Sequence, residues 1–147
     1  MEFHFTSRLQ PTMRDKLENI LFFNSLQKNY IESISHSIQL FGEPKVELSD
    51  NSLRVLIDGI PDIQTIFALT PDKNTLAGII IYLRTDQNNI AILHIGVTNE
   101  FSSLGTYADS MLAPKLIQNI IRAAKTIKGI TTITLMYGRN KLTKIKL

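Results

Sequence analysis

The spacing of apolar residues predicts helices before Pro44 and again near the carboxyl end of the chain. Apolar positions recur at helical intervals in Thr12–Phe23 and in a second stretch that ends before Gly42. The apolar stripe of that second stretch consists of Leu26, Tyr30, Ile31, Ile34, Ile38 and Phe41. A later stripe predicts a helix over 112–128, which Gly129 terminates. Because each stripe covers only one helix face, each helix is expected to pack on a core.

The remaining sequence has the pattern of strands and turns. Runs rich in Ile, Leu and Val are separated by polar turn residues. The predicted strands are Glu2–Arg8, Lys45–Leu48, Ser52–Ile57, Ile63–Leu69, Leu76–Arg84, Ile90–Val97 and Thr131–Tyr137. This order predicts an α+β (mixed α/β) fold, in which a central mixed, mostly antiparallel sheet is flanked by helices. With 147 residues and no linker or repeat, the chain is expected to form a single domain, 1–147.

Composition excludes several kinds of site. The chain is 44% hydrophobic and 20% charged, and no apolar run reaches the ~20 residues that cross a bilayer. Without cysteine it has no disulfide, no thiolate metal site and no cysteine nucleophile. His4, His36 and His94 are far apart and form no ligand-spaced motif. We therefore expect no metal, no membrane segment and, since the start lacks a signal-peptide pattern, a cytoplasmic protein.

Charge is distributed unevenly along the sequence. All 13 acidic residues precede Lys115, whereas Lys and Arg continue to the end of the chain. A segment of one sign suggests an anionic partner such as a nucleotide cofactor, a nucleic acid or a membrane surface. The alternative is that the basic segment packs beside the acidic remainder of the same domain. The sequence leaves both interpretations open.

The stretch Ile90–Arg139 is the most informative part of the chain. An apolar strand ends at Val97, the small-residue loop SSLGTY follows, and then come a long helix and a second apolar strand. A strand that leads through such a loop into a helix amino terminus is a common phosphate-binding arrangement. The order of elements and this stretch together resemble the GCN5-related N-acetyltransferases. The resemblance covers most of the chain, from Phe3 to Asn140.

The resemblance implies an acetyl-CoA or other acyl-CoA site. Backbone near Ile95 and Val97 would hold the pantetheine arm. Ser102, Ser103, Leu104, Gly105 and Thr106 would meet the pyrophosphate. Lys115 could replace the family's basic loop residue, and Asn140 would contact the coenzyme arm at the opening of a further helix.

The sequence departs from the family pattern at several of these positions. In the loop only Gly105 matches, because Ser102 stands where the family has a basic or amide residue and Tyr107 where it has a small one. In the further helix, Thr143 and Leu147 occupy the places of the family's Ala and Tyr. The sequence given ends there, short of most of that helix and of two closing strands.

His94 is the one candidate for a general base. The family commonly places that base four or six residues before the terminal Val, which here are Leu93 and Ala91. Strand alternation sends His94 to the opposite face unless a β-bulge resets the parity. The alternative is that His94 is a buried, hydrogen-bonded packing residue.

Three functions remain open from the sequence. The first is an acyl-CoA-dependent N-acyltransferase acting on a small-molecule or peptide amine. The second is a catalytically degenerate binding or assembly module, which could form a homodimer through an exposed sheet edge along Thr131–Tyr137. The third, nucleic-acid binding through the basic carboxyl-terminal segment, is disfavoured because Tyr137 is the only aromatic residue there.

Overall fold

The computed structural model describes residues 1–21, 31–102, 104–136 and 143–147. Its helices are α1 (Arg14–Leu21), α2 (Ile31–Phe41) and α3 (Leu112–Lys125). Its strands are β1 (His4–Thr6), β2 (Lys45–Ser49), β3 (Ser52–Leu56), β4 (Gln64–Leu69), β5 (Leu76–Arg84), β6 (Asn89–Val97), β7 (Thr132–Leu135) and β8 (Thr143–Lys146). Short 3₁₀ turns precede α1 and interrupt the connection between β6 and α3.

The main sheet has the order β1-β4-β5-β6-β7-β8. Its neighbours are antiparallel except β6 and β7, which are parallel and are joined through α3. A parallel pair needs such a crossover connection, and the long helical stripe in the sequence supplies it. The prediction of an α+β fold with a mixed, mostly antiparallel sheet flanked by helices is therefore confirmed.

The sheet separates two hydrophobic cores, one under each layer of helices. On one face, α1 buries Leu17 and Ile20 against side chains of the central strands. On the other face, α3 buries Leu116 and Ile120. Because both faces are covered, β5 and β6 read as nearly continuous apolar runs and not as alternating ones. The two central strands are thus the most constrained part of the molecule.

Strands β2 and β3 form a separate two-stranded sheet and do not join the main one. The turn between them has Asp50 and Asn51 at positive φ (50° and 60°), which is the twist that closes a tight hairpin. The hairpin is tied to the segment before α1 by an antiparallel bridge between Leu9 and Leu53. The sequence predicted these two strands and the turn between them but not their separation from the main sheet, since strand composition carries no information on pairing partners.

The carboxyl end differs from the expectation drawn from the family. A helix opening at Asn140 was expected, but β8 is a strand that pairs antiparallel with β7. That expectation is wrong over 143–146, where Ile145 alternates with two lysines in the period of a strand. Asn140 itself and Tyr137 lie outside the described residues. The edge of β7 that was expected to be exposed is occupied by β8, so a sheet-edge dimer would have to use β8 or β1.

Candidate functional site

Strands β6 and β7 run side by side for only part of their length. Their paired residues extend from Asn89 and Thr132 to Ile92 and Leu135. The last contact is the Met136 N–H, which donates to the Ile92 carbonyl oxygen at 2.9 Å. Strand β6 continues to Val97, and within the described residues no strand pairs with this last part on the β7 side. Among the described residues, the sheet therefore has an internal edge beside the carboxyl half of β6.

The backbone groups on this edge belong to Ile95 and Val97. The Thr98 N–H donates to the Ala77 carbonyl oxygen at 2.9 Å, and Val97 lies opposite Gly78. In an antiparallel ladder, alternate residues point their N–H and C=O groups to opposite sides. His94 and Gly96 therefore bond to β5, while Ile95 and Val97 point theirs toward the β7 side. Such an edge is suited to an extended ligand that carries amide groups.

A β-bulge in β6 determines where His94 points. Ile81 pairs with His94 but Tyr82 pairs with Ile92, so Leu93 is the extra residue. Leu93 packs in the core beneath α1, and His94 reaches the same helix, so two consecutive side chains share one face. The carbonyl oxygen of Leu93 accepts a hydrogen bond from the Ser37 hydroxyl of α2 at 3.2 Å. The bulge considered from the sequence is present and places His94 on the face of Leu93 and Ala91.

His94 is buried between the sheet and α1. It is 4% exposed, and its Nε2 lies 3.0 Å from the Ile20 carbonyl oxygen. A carbonyl oxygen can only accept, so in this contact Nε2 carries a proton. Burial lowers the pKa of His94 below its usual value, although the hydrogen bond to Ile20 opposes the shift. The side chain thus joins β6 to α1, beneath the strand and not along its edge.

This environment predicts that stability depends on pH through His94. In the unfolded state the His94 imidazole has a pKa of ~6.5, so it binds a proton more readily there than in the folded state. The free energy of unfolding should fall as pH drops below ~6.5, by up to about 1.4 kcal/mol per pH unit. Urea denaturation of the wild type and of His94→Gln at a series of pH values measures this slope. His94→Gln should reduce this slope, whereas His4→Gln, at an exposed position, should leave it unchanged. A slope in His94→Gln equal to that of the wild type would contradict the assignment.

The loop after β6 is a succession of tight turns. Two 3₁₀ turns, Asn99–Phe101 and Ala108–Ser110, account for part of it. Most of its amides donate to acceptors within the loop itself. The donors are Phe101, Ser102, Leu104, Gly105, Tyr107, Ala108, Ser110 and Met111. In this conformation the loop presents few amides that could receive a phosphate group.

Gly105 is required by a close approach of the backbone to itself. A Cβ there would collide with the carbonyl oxygen of Asn99 and would lie 2.6 Å from that of Glu100. The neighbouring Tyr107 stacks on Phe101 with ring centroids 5.2 Å apart, and Phe101 meets Phe3 edge-on at 5.4 Å. The large residue at 107 is accommodated because its ring covers this aromatic cluster. The glycine matches the family, but here it serves the packing of the loop.

Two buried hydroxyl groups flank the loop without a hydrogen-bond partner among the described residues. They are Thr98 Oγ1, at the end of β6, and Ser110 Oγ, just before α3. Buried polar atoms are nearly always paired with protein or ordered water, so these two hydroxyls are exceptions. At the amino terminus of α3, Leu112 and Ala113 have backbone N–H groups, whereas Pro114 has no backbone N–H. The β6 edge therefore fits a pantetheine-like arm, and the loop would fit a pyrophosphate only after rearrangement.

The remaining predicted cofactor residues lie around this loop. Lys115 Nζ donates to the Met1 carbonyl oxygen at 3.3 Å and lies 5.5 Å from the centroid of the Phe3 ring. Leu104 and Thr106 are exposed, and Leu104 is 87% accessible. Ser103 and Asn140 lie outside the described residues, so their predicted roles stay predictions. Of the predicted set, Lys115 lies in the first turn of α3. The others lie at the end of β6 and in the loop that follows it: Ile95, Val97, Ser102, Leu104, Gly105 and Thr106.

The basic carboxyl-terminal segment is divided by the sheet. On α3, Arg122 and Lys125 are exposed. On β8, Ile145 packs into the core beneath α3, so alternation sends Lys144 and Lys146 to the opposite face. These described cations do not form one continuous surface.

In the part of the chain that the structure describes, no helix is both long and apolar enough to cross a membrane. Among the same residues, no group of three or more His, Asp and Glu side chains is placed to hold a metal ion.

No family model and no curated protein matches the sequence. Solved structures similar to the chain include an IAA acetyltransferase from Bacillus cereus, with 13% identity, a TM-score of 0.49, and coverage of 91% of this chain and 65% of that one. NAA60 from Arabidopsis thaliana, solved in complex with acetyl-CoA, has 15% identity and a TM-score of 0.48, and the match covers 91% and 74% of the two chains. An acetyltransferase from Streptococcus agalactiae has 14% identity and a TM-score of 0.45, and the match covers 90% of this chain and 71% of that one. The chain thus spans about two thirds of the Bacillus cereus protein, and likeness at this level establishes no activity.

Sequence reasoning missed Ser37, Thr98 and Ser110. Ser37 supports the bulge through the Leu93 carbonyl, and the other two are the unpaired hydroxyls beside the loop. Single serines and threonines in a sequence give no signal of burial.

Proposed function

We propose that this chain is an acyl-CoA-dependent N-acyltransferase that holds the amide-containing arm of its acyl donor against the carboxyl half of β6. The observation that supports this is the separation of β6 from β7 after Ile92, which turns the N–H and C=O groups of Ile95 and Val97 toward an edge with no described partner strand. A pantetheine arm carries two amides and can extend such an edge as an additional strand would.

The proposed role of the chain in the chemistry is positioning and polarisation. A bound acyl-CoA would supply a thioester. The amine nitrogen would bond to its carbonyl carbon, the carbon–sulfur bond would break, and the leaving thiolate would take up the proton that the amine loses. An outward N–H of Ile95 or Val97 is suited to donate to the thioester carbonyl oxygen as negative charge develops there. Holding donor and amine in one cleft also lowers the entropic cost of their encounter. The acceptor in this proposal is a small-molecule or peptide amine.

Isothermal titration with acetyl-CoA tests binding directly. We expect saturable binding, with acetyl-pantetheine competing for the same site because it retains the amide arm. The nucleotide half, adenosine 3′,5′-bisphosphate, should bind far more weakly because the loop amides are engaged internally. No heat of binding with acetyl-CoA at millimolar concentration would contradict the proposal. Competition by the nucleotide half alone would contradict the role given to β6.

A binding module without transferase activity is the second candidate, and the burial of His94 favours it. The only base candidate from the sequence is held beneath α1 by its bond to Ile20. The two candidates differ in one measurement, the release of free thiol from acetyl-CoA in the presence of a panel of amines. An N-acyltransferase releases thiol faster than the same mixture without protein. A module binds acetyl-CoA and leaves that rate unchanged.

A further inference from the structure

A cavity of about 350 Å³ lies at the opposite edge of the main sheet from the β6–β7 split. Its walls come from the residues that follow β1, from the β2–β3 hairpin, and from the start of β4 with the segment that leads into it. Strand β5 lies between β4 and β6. The cavity is therefore separate from the edge proposed to hold an acyl donor, and it plays no part in that proposal.

Two arginines line this cavity together. The Leu53 N–H donates to the Leu9 carbonyl oxygen at 2.7 Å, and the two residues form an antiparallel bridge. That register sets Arg8 beside Arg54, on the same side of the two chain segments. Both residues line the cavity. Like charges placed opposite each other across antiparallel segments are destabilising, so this pair costs stability unless an anion lies between them.

The described carboxylates do not neutralise the pair. Glu47 lies opposite Arg54 across the hairpin, yet neither arginine forms an ion pair with any carboxylate of the described residues. Asp50 also lines the cavity, at the hairpin turn, and it would repel an anion bound close to it. Two solvent-exposed guanidinium groups thus line one cavity that is open to solvent.

The other walls define the class of ligand. Guanidinium groups bind phosphate and carboxylate through two parallel hydrogen bonds, and hydroxyls of Ser7 and Ser52 line the same space. Val55 and Ile63 add an apolar wall. The volume lies at the lower end of the range for small-molecule sites and exceeds what a bare oxyanion needs. We propose that Arg8 and Arg54 bind the oxyanion group of a small organic metabolite, either a phosphate monoester or a carboxylate.

The experiment is a titration followed by amide NMR at constant ionic strength, with phosphoethanolamine and succinate as separate probes. We expect at least one probe to give saturable shifts at residues 7–8 and 52–55. A phosphate ligand is indicated if phosphoethanolamine binds more tightly, and a carboxylate ligand if succinate does. Arg8→Gln and Arg54→Gln should each weaken binding at least tenfold, whereas the matched control Arg122→Gln, at an exposed position of α3, should not.

Two results would overturn the proposal. One is the lack of saturable shifts at these residues with either probe. The other is an equal loss of affinity in Arg122→Gln, because that would show a general response to charge. A second measurement does not depend on the ligand: at low salt, Arg54→Gln should melt no lower than the wild type, since it removes a like-charge contact. Acetyl-CoA binding should be the same in both arginine variants, which separates this site from the β6 edge.

Discussion

Replacing Gly96 with valine should lower the free energy of unfolding by about 3 kcal/mol, the upper part of the usual range for overpacking a core. Any Cβ at this position would lie 2.6 Å from the Ile20 carbonyl oxygen and 3.3 Å from the Ile20 Cβ. The first of these is a backbone atom of α1, so rotation of a side chain cannot relieve the contact. The helix must move away from the sheet.

The same movement would break a second contact. The Ile20 carbonyl oxygen accepts the hydrogen bond from His94, and separation of α1 would break this buried hydrogen bond. Alanine, which adds a single carbon, should cost less than valine. Since a domain of this size has a total stability of about 5–15 kcal/mol, valine removes a large fraction of it.

Urea denaturation monitored by far-UV circular dichroism measures the effect of Gly96→Val. Ile95→Val is the matched control, because it alters the adjacent buried residue on the other face and should cost about 1 kcal/mol. A Gly96→Val variant as stable as the control would show that α1 does not press on β6 as the structure has it. The account of His94 as a link between the two elements would then fail as well.

Replacing Val97 with proline should weaken acetyl-CoA binding at least tenfold, which corresponds to about 1.4 kcal/mol. Proline removes the outward N–H of residue 97 and fills the space beside it with a ring. No bond to β5 is lost, because the backbone groups of Val97 face away from that strand. Proline is accepted in strands where its nitrogen faces an open edge. The residue before a proline is sterically restricted, and this restriction is smallest when that residue is a glycine, as Gly96 is here.

Val97→Ala is the control that isolates the backbone. It removes most of the side chain but keeps the N–H, so it should bind acetyl-CoA nearly as well as the wild type. Circular dichroism of both variants shows whether the fold is retained. Equal affinity in Val97→Pro and the wild type, or an equal loss in Val97→Ala, would contradict a role for the backbone of β6.

The sequence predicts the elements well where one physical signal dominates. The stripe of α3 predicts a helix over 112–128, and the observed helix ends at Lys125, with Thr126 capping it through the Ala123 carbonyl oxygen. The strands of the main sheet are recognised because burial on both faces requires apolar residues at nearly every position. The hydrophobic pattern is thus sufficient to locate α3 and the central strands, with errors of a few residues at their ends.

The site is harder to predict, because it depends on register. One extra residue, Leu93, decides which face His94 occupies, and no local preference in the sequence marks a bulge there. The loop after β6 keeps one family glycine, yet its amides are engaged by a series of turns in which Tyr107 stacks over Phe101. The pairing of β8 with β7 was missed because the family pattern favoured a helix over the strand alternation around Ile145.

Amide hydrogen exchange, resolved by NMR with and without acetyl-CoA, tests the central claim most directly. His94 and Gly96 are already bonded to β5, so their amides should change little when acetyl-CoA is added. Ile95 and Val97 should gain at least tenfold protection at saturation. Saturable binding with no added protection at Ile95 and Val97 would contradict the claim that β6 holds the acyl donor.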